Sequence, residues 1–124
     1  MAVIDEPRPL NASERQVLER ILSADVPGFA ELRGQLQAAR VVTRWGTNSA
    51  SVDLQVPRSE ISSQIASGLL SIDAPVLDSN RQFVGEIIVW VDSGYLAGIE
   101  YAWYTDEPPS QLPLAEQIDI EEKK

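Results

Sequence analysis

FVGEIIVWVDSGYLAGIEYAWYTD, residues 83–106, is the stretch whose reading decides the fold. Two apolar runs meet at Asp92-Ser93-Gly94, and each alternates with a period of two, the mark of a half-buried strand. Phe83, Ile87, Val89 and Val91 share one face of the first run. Tyr95, Ala97, Ile99, Tyr101 and Trp103 share one face of the second. A three-residue loop, with Gly94 supplying a positive φ, would pair Val91 with Tyr95 and Ile87 with Ile99, so that core meets core. That register also sets Glu86 opposite Glu100. The other face then carries Val84, Glu86, Ile88, Trp90, Asp92, Leu96, Glu100 and Tyr104.

Upstream, NASERQVLERILS holds a capping box, with Asn11 as N-cap and Glu14 three residues on. Val17, Leu18, Ile21 and Leu22 form one apolar stripe of an amphipathic helix. A second helix is expected in DVPGFAELRGQLQAAR, where Phe29, Leu32 and Leu36 share a face and Pro27 suits a first turn. At Val41 the period changes from helix to strand. Val41, Thr43 and Trp45 should pair with Leu54, Val52 and Ala50 around the GTNS turn. LLSIDAPVL adds a strand with Leu70, Ile72 and Val76 inward, and Pro75 marks an edge or an end. Residues 58–68 read as one short helical turn or as a loop. The expected fold is α+β: two N-terminal helices packed on one face of an antiparallel, roughly five-stranded meander sheet. One domain spans 1–124, its ordered part about 11–107, with 1–10 and 114–124 flexible.

Charge is spread unevenly. The chain carries −9 overall, with six acids against five arginines in residues 1–40 and thirteen acids against five bases in 41–124. From Gln82 to Glu122 there are nine acids and no Lys or Arg. Such a surface repels nucleic acid, whose binding needs cations in place of released counterions. It steers a basic protein inward, although acidity also serves solubility alone. No apolar run approaches the roughly 20 residues of a membrane helix. MAVIDEPRPL lacks the form of a signal peptide, so a cytoplasmic location and no membrane association are expected. The chain has no cysteine and no histidine, which removes thiolate nucleophiles, zinc fingers and the commonest general base. No P-loop, dinucleotide fingerprint or nucleophile elbow occurs. No cofactor, metal or catalytic residue is therefore assigned.

The run GEIIVWVDSGYLAGIEYAWYTDEPPSQLP resembles the C-terminal half of a family of small actinobacterial proteins of unassigned activity. Their shared pattern is an apolar strand, acid-x-Gly-x-Leu-x-x-Leu/Ile-Glu, an aromatic strand and a proline-flanked leucine. Here it falls on Asp92, Gly94, Leu96, Ile99, Glu100, Trp103 and Pro113. Some immunity proteins of bacterial toxin systems end in a similar hairpin. The resemblance implies the hairpin and no catalytic residues.

Two functions compete for the even face. An apolar strip of Ile88, Trp90 and Leu96, rimmed by Glu86 and Glu100 with Tyr104 beside them, has the composition of a protein interface. This reading makes the chain a non-enzymatic module that binds a basic protein partner or forms a homodimer. The alternative is a small-ligand binder or minor hydrolase built on a Glu86/Glu100 acid pair. A bulge at Ala97-Gly98 would instead carry Glu100 away from Glu86 and leave an ordinary wet face.

Overall fold

The computed structural model describes residues 3–120; the acidic end read as a frayed tail lies partly beyond them, at 121–124. The chain runs β1 (Val3–Pro9), α1 (Ala12–Leu22), α2 (Phe29–Gly34), β2 (Arg40–Arg44), β3 (Val52–Gln55), β4 (Gly68–Leu69), β5 (Pro75–Leu77), β6 (Phe83–Asp92) and β7 (Tyr95–Trp103). A 3-10 turn follows at Ala115–Gln117. The seven strands form one antiparallel sheet in the order β1-β2-β3-β7-β6-β4, with β5 also on β6. The class is α+β, and the sheet is larger than the five strands expected.

Two changes account for the extra strands. Val3–Pro9, expected as a mobile arm, pairs antiparallel with β2 and closes one edge of the sheet, its ladder interrupted between Ile4 and Arg8. Residues 69–77, expected as one strand, divide into β4 and β5 against β6. Leu70 N–H donates to Val89 O and Ile87 N–H to Ala74 O, so residues 70–74 stay tied to β6 while the ladder breaks. Nor is the sheet a simple meander: β7 returns between β3 and β6, which makes it central. Residues 58–67 are a loop, and Gly68 opens β4. The late segment expected to be flexible is held as well: Ile118 is buried and bridges Val76, and Asp119 N–H donates to Pro75 O.

α1 begins as its sequence dictates. Asn11 Oδ1 accepts from Glu14 N–H at 2.8 Å, and Glu14 Oε1 accepts from Asn11 N–H at 2.9 Å. Val17, Leu18, Ile21 and Leu22 join Phe29, Leu32 and Leu36 in one cluster with Val52, Leu54, Ile87, Val89, Val91, Ile99 and Tyr101 of the sheet. All of these are buried. Removing this area from water is the main favourable term in folding, at about 25 cal/mol per Å². One face of the sheet therefore belongs to the helices, and the other is left for function.

The hairpin register differs from the one expected. The turn has two residues, Ser93 (φ 55) and Gly94 (φ 89), and the double positive φ is that of a type I′ turn. Asp92 pairs with Tyr95 and Val91 with Leu96; then the ladder shifts at Ala97, and Trp90 pairs with Gly98. Beyond the bulge Val89 meets Ile99, Ile88 meets Glu100, Ile87 meets Tyr101 and Glu86 meets Ala102. The bulge inverts the parity of β7. Leu96, expected on the open face, is 1% exposed in the core, whereas Tyr95 and Ala97 are only half-buried.

A distant residue holds that register in place. Gln35, buried just after α2, accepts from Leu96 N–H at 2.9 Å through Oε1. Its Nε2 donates to Gly94 O and Ile61 O, each at 2.9 Å. The backbone groups at the bulge and turn are thereby satisfied without water, as burial requires. A smaller bulge displaces the β2–β3 ladder: Val41 pairs with Leu54 as expected, but Thr43 meets Asp53 and Arg44 meets Val52.

Candidate functional site

The sheet face turned away from the helices carries Glu86, Ile88 and Trp90 of β6, Glu100 of β7 and Asp53 of β3, all half-buried. Alternation along each strand puts them there, since Ile87, Val89, Ile99 and Val52 point into the core. Trp90 lies against Gly98, where a Cβ would come 3.6 Å from the indole and 3.2 Å from Val52 O. A glycine at 98 thus leaves room for the ring and for the close approach of β3.

Three carboxylates on this face, those of Glu86, Glu100 and Asp53, each accept from an aromatic side chain. Trp90 Nε1 donates to Glu100 Oε1 at 3.0 Å. Tyr104 Oη donates to Glu86 Oε1 at 2.9 Å, while the Tyr104 ring stacks on Phe83 with centroids 5.1 Å apart. Trp45 Nε1 donates to Asp53 Oδ1 at 3.0 Å. No arginine or lysine among the described residues pairs with any of the three acids. The donors are neutral, so each site keeps its full negative charge while its carboxylate is held in one orientation.

The electrostatics shows at Tyr104. Its hydroxyl is pushed above the usual phenol range, chiefly by the hydrogen bond it gives Glu86, then by burial and by the Glu86 charge itself. Burial alone raises the Tyr101 phenol.

The structure brings Glu86, Ile88, Trp90, Glu100 and Tyr104 to one face and removes Leu96 from it. The acid pair is not formed as expected. Glu86 stands across from Ala102 and Glu100 across from Ile88, which makes the two acids diagonal neighbours, each with its own donor. Among the described residues, no three carboxylates gather into a set that could hold a metal ion. Sequence reasoning missed two members. Asp53 and Trp45 are not among the expected site residues; the shift of the β2–β3 ladder after Val41 sets Thr43 opposite Asp53, with Trp45 two residues on. The loop 58–67 is tied to the hairpin turn. Ser63 N–H donates to Gly94 O, Ser67 Oγ accepts from Ser93 N–H, and Tyr95 Oη donates to Arg58 O and Glu60 O, so the loop grips the hairpin turn.

Beside this face lies a groove of about 760 Å³ between the β2–β3 loop, the end of β7 and residues 108–110. Trp45, Glu100, Trp103, Pro108 and Pro109 are among its walls.

No protein-family model and no solved structure matches the chain. It is similar to human protocadherin alpha-1, at 26% identity over 115 residues. That alignment covers 93% of this chain but spans only 12% of the protocadherin's length. No helix among the described residues is long and apolar enough to cross a membrane.

Proposed function

We propose that this small β-rich domain is a non-enzymatic protein-binding module that receives a basic partner on the outer face of its sheet. The observation that carries the reading is the triad of aromatic–carboxylate pairs, Trp45–Asp53, Trp90–Glu100 and Tyr104–Glu86. Charges oriented by neutral donors are available to an incoming cation, and the aromatic rings beside them supply area that can be desolvated at the centre of an interface. The absence of any Lys or Arg between Gln82 and Glu122 leaves the field over this region unbalanced. A second copy of the chain fits the same face poorly, because it would set these acids against themselves. A hydrolytic role for Glu86 and Glu100 gains nothing from the register, which gives each acid a separate donor on a separate rung.

The test compares capture from native lysate by the parent with capture by a triple variant, Asp53→Asn, Glu86→Gln, Glu100→Gln. A protein retained by the parent and lost by the triple variant is the expected result. Its association rate should fall steeply with ionic strength, because encounter is electrostatically steered. Trp90→Ala should act instead on dissociation. A captured protein that binds the parent and the triple variant equally well would show that the face is only the solvated side of a sheet.

A further inference from the structure

The groove beside the acidic face lies where the sheet comes apart. β3 pairs with β7 at only two positions, Val52 with Ile99 and Asp53 with Gly98. Past Ile99 the β3 side of β7 has no strand; Ser51 Oγ instead accepts from Tyr101 N–H at 2.9 Å. Residues 101–103 of β7 therefore form a short edge looking into a space of about 760 Å³, a size typical of ligand sites. Trp45 and Trp103, 39% and 45% exposed, stand among its walls with Pro108 and Pro109.

Among the described residues, Glu100 is the single charged one lining this space. One of its oxygens is fixed by Trp90 Nε1, and the other takes no hydrogen bond from any described residue. An oriented carboxylate between aromatic walls selects a planar cation. A guanidinium stacks on indole faces and donates in pairs to a carboxylate, which an ammonium does less well. The edge beside it offers backbone groups to an extended chain.

We infer that this groove receives an extended, arginine-bearing segment of the partner, the guanidinium resting against the tryptophan walls and donating to Glu100. The inference rests on the reading of the acidic face as the binding surface and gives that surface its specific pocket.

The experiment uses a capped heptapeptide of alternating threonine and arginine, and the same peptide with citrulline in place of arginine. The indole N–H resonances of Trp45, Trp90 and Trp103 report where each peptide binds. The arginine peptide should shift Trp45 and Trp103 saturably, and the citrulline peptide should bind about tenfold more weakly or not at all. Glu100→Gln keeps an acceptor for Trp90 and should weaken the arginine peptide by a similar factor. Trp103→Ala, with its spectrum checked for native dispersion, should abolish the shift at Trp45. Citrulline and arginine peptides of equal affinity would overturn the inference, as would silence of all three indoles up to about 10 mM peptide. Shifts confined to Trp90 would overturn the groove while leaving the open face as the binding surface. Loss of capture by the triple variant tests that surface separately.

Discussion

Glu14 at the start of α1 and Glu100 in the middle of β7 are both shielded carboxylates held by hydrogen bonds near 3 Å, and the molecule answers their charge in opposite ways. Glu14, 3% exposed, accepts from both terminal nitrogens of Arg8 and from Asn11 N–H, each at 2.9 Å. Its charge is neutralised inside the fold and its donors lock β1 to the helix it precedes. Among the described residues Glu100 accepts from Trp90 alone, and no arginine or lysine meets it. The acid balanced by arginine is a structural element. The acid oriented by an indole has no such internal counter-charge among the described residues. The same division runs along the chain, since the arginines of residues 1–40 nearly match their acids in number, whereas the thirteen acids of residues 41–124 face only five bases.

The sharpest way to break this comparison is to remove each carboxylate in turn. Glu14→Ala should cost about 2–4 kcal/mol, because it deletes the capping box and removes the buried carboxylate that accepts from both terminal nitrogens of Arg8. Glu100→Ala should cost less than about 1 kcal/mol, because its half-buried carboxylate has only one neutral donor to lose. Urea denaturation of the two variants gives both numbers. Equal losses would mean that Glu100 is as structural as Glu14.

Glu14 could be placed from sequence because its partners are local. The N-cap spacing of Asn11 and Glu14 needs nothing beyond one helical turn, and the stripe of Val17, Leu18, Ile21 and Leu22 is likewise a matter of local period. The hairpin could be placed as an element for the same reason, and its core residues Ile87, Val89, Ile99 and Tyr101 are buried as expected. The surroundings of Glu100 could not. They depend on the bulge at Ala97, and the bulge depends on Gln35, 61 residues from the Leu96 N–H it satisfies. A β-strand reads the same in either register until a long-range polar contact chooses between them. The small strands were hidden too, because Val3–Pro9 carries two prolines and reads as coil until β2 is beside it.

That dependence is open to measurement. Gln35→Leu fills the same space without donors or acceptors, and it leaves Leu96 N–H without its buried acceptor. A loss of about 2–3 kcal/mol is expected. Amide exchange at Leu96 should accelerate together with exchange at the turn, where Ser63 N–H and Gln35 share Gly94 O. If the loss is under about 0.5 kcal/mol and the exchange is unchanged, the bulge is fixed by packing and not by this side chain.

A smaller effect measures the indole's share. Trp90→Phe keeps an aromatic ring over Gly98 and removes the N–H that holds Glu100. With both groups half-buried, the coupling between Trp90→Phe and Glu100→Ala in a double-mutant cycle should be about 0.5–1 kcal/mol. A coupling near zero would leave the carboxylate free to turn. The contrast with Glu14 would then lie in mobility as well as in charge.

The last contrast is one of pH. Tyr104 is held to Glu86 as a neutral donor, so the folded state favours the protonated phenol and its pKa lies above the ordinary value. The sign follows from that direction. A group whose pKa is raised by folding contributes stability that is fully present below its unfolded value, near 10 for a tyrosine, and lost as the pH climbs through the folded value. The contribution of the Tyr104 hydroxyl should therefore be fully present at neutrality and decline in alkali. Ring-labelled tyrosine NMR resolves the phenols individually. In Glu86→Ala the Tyr104 titration should move down, because both the accepting oxygen and its negative charge are gone, whereas Tyr101, raised by burial alone, should titrate as before. A Tyr104 titration that stays in place in Glu86→Ala would mean the hydroxyl does not donate to Glu86 in solution, and that this carboxylate lacks the oriented state argued for Glu100.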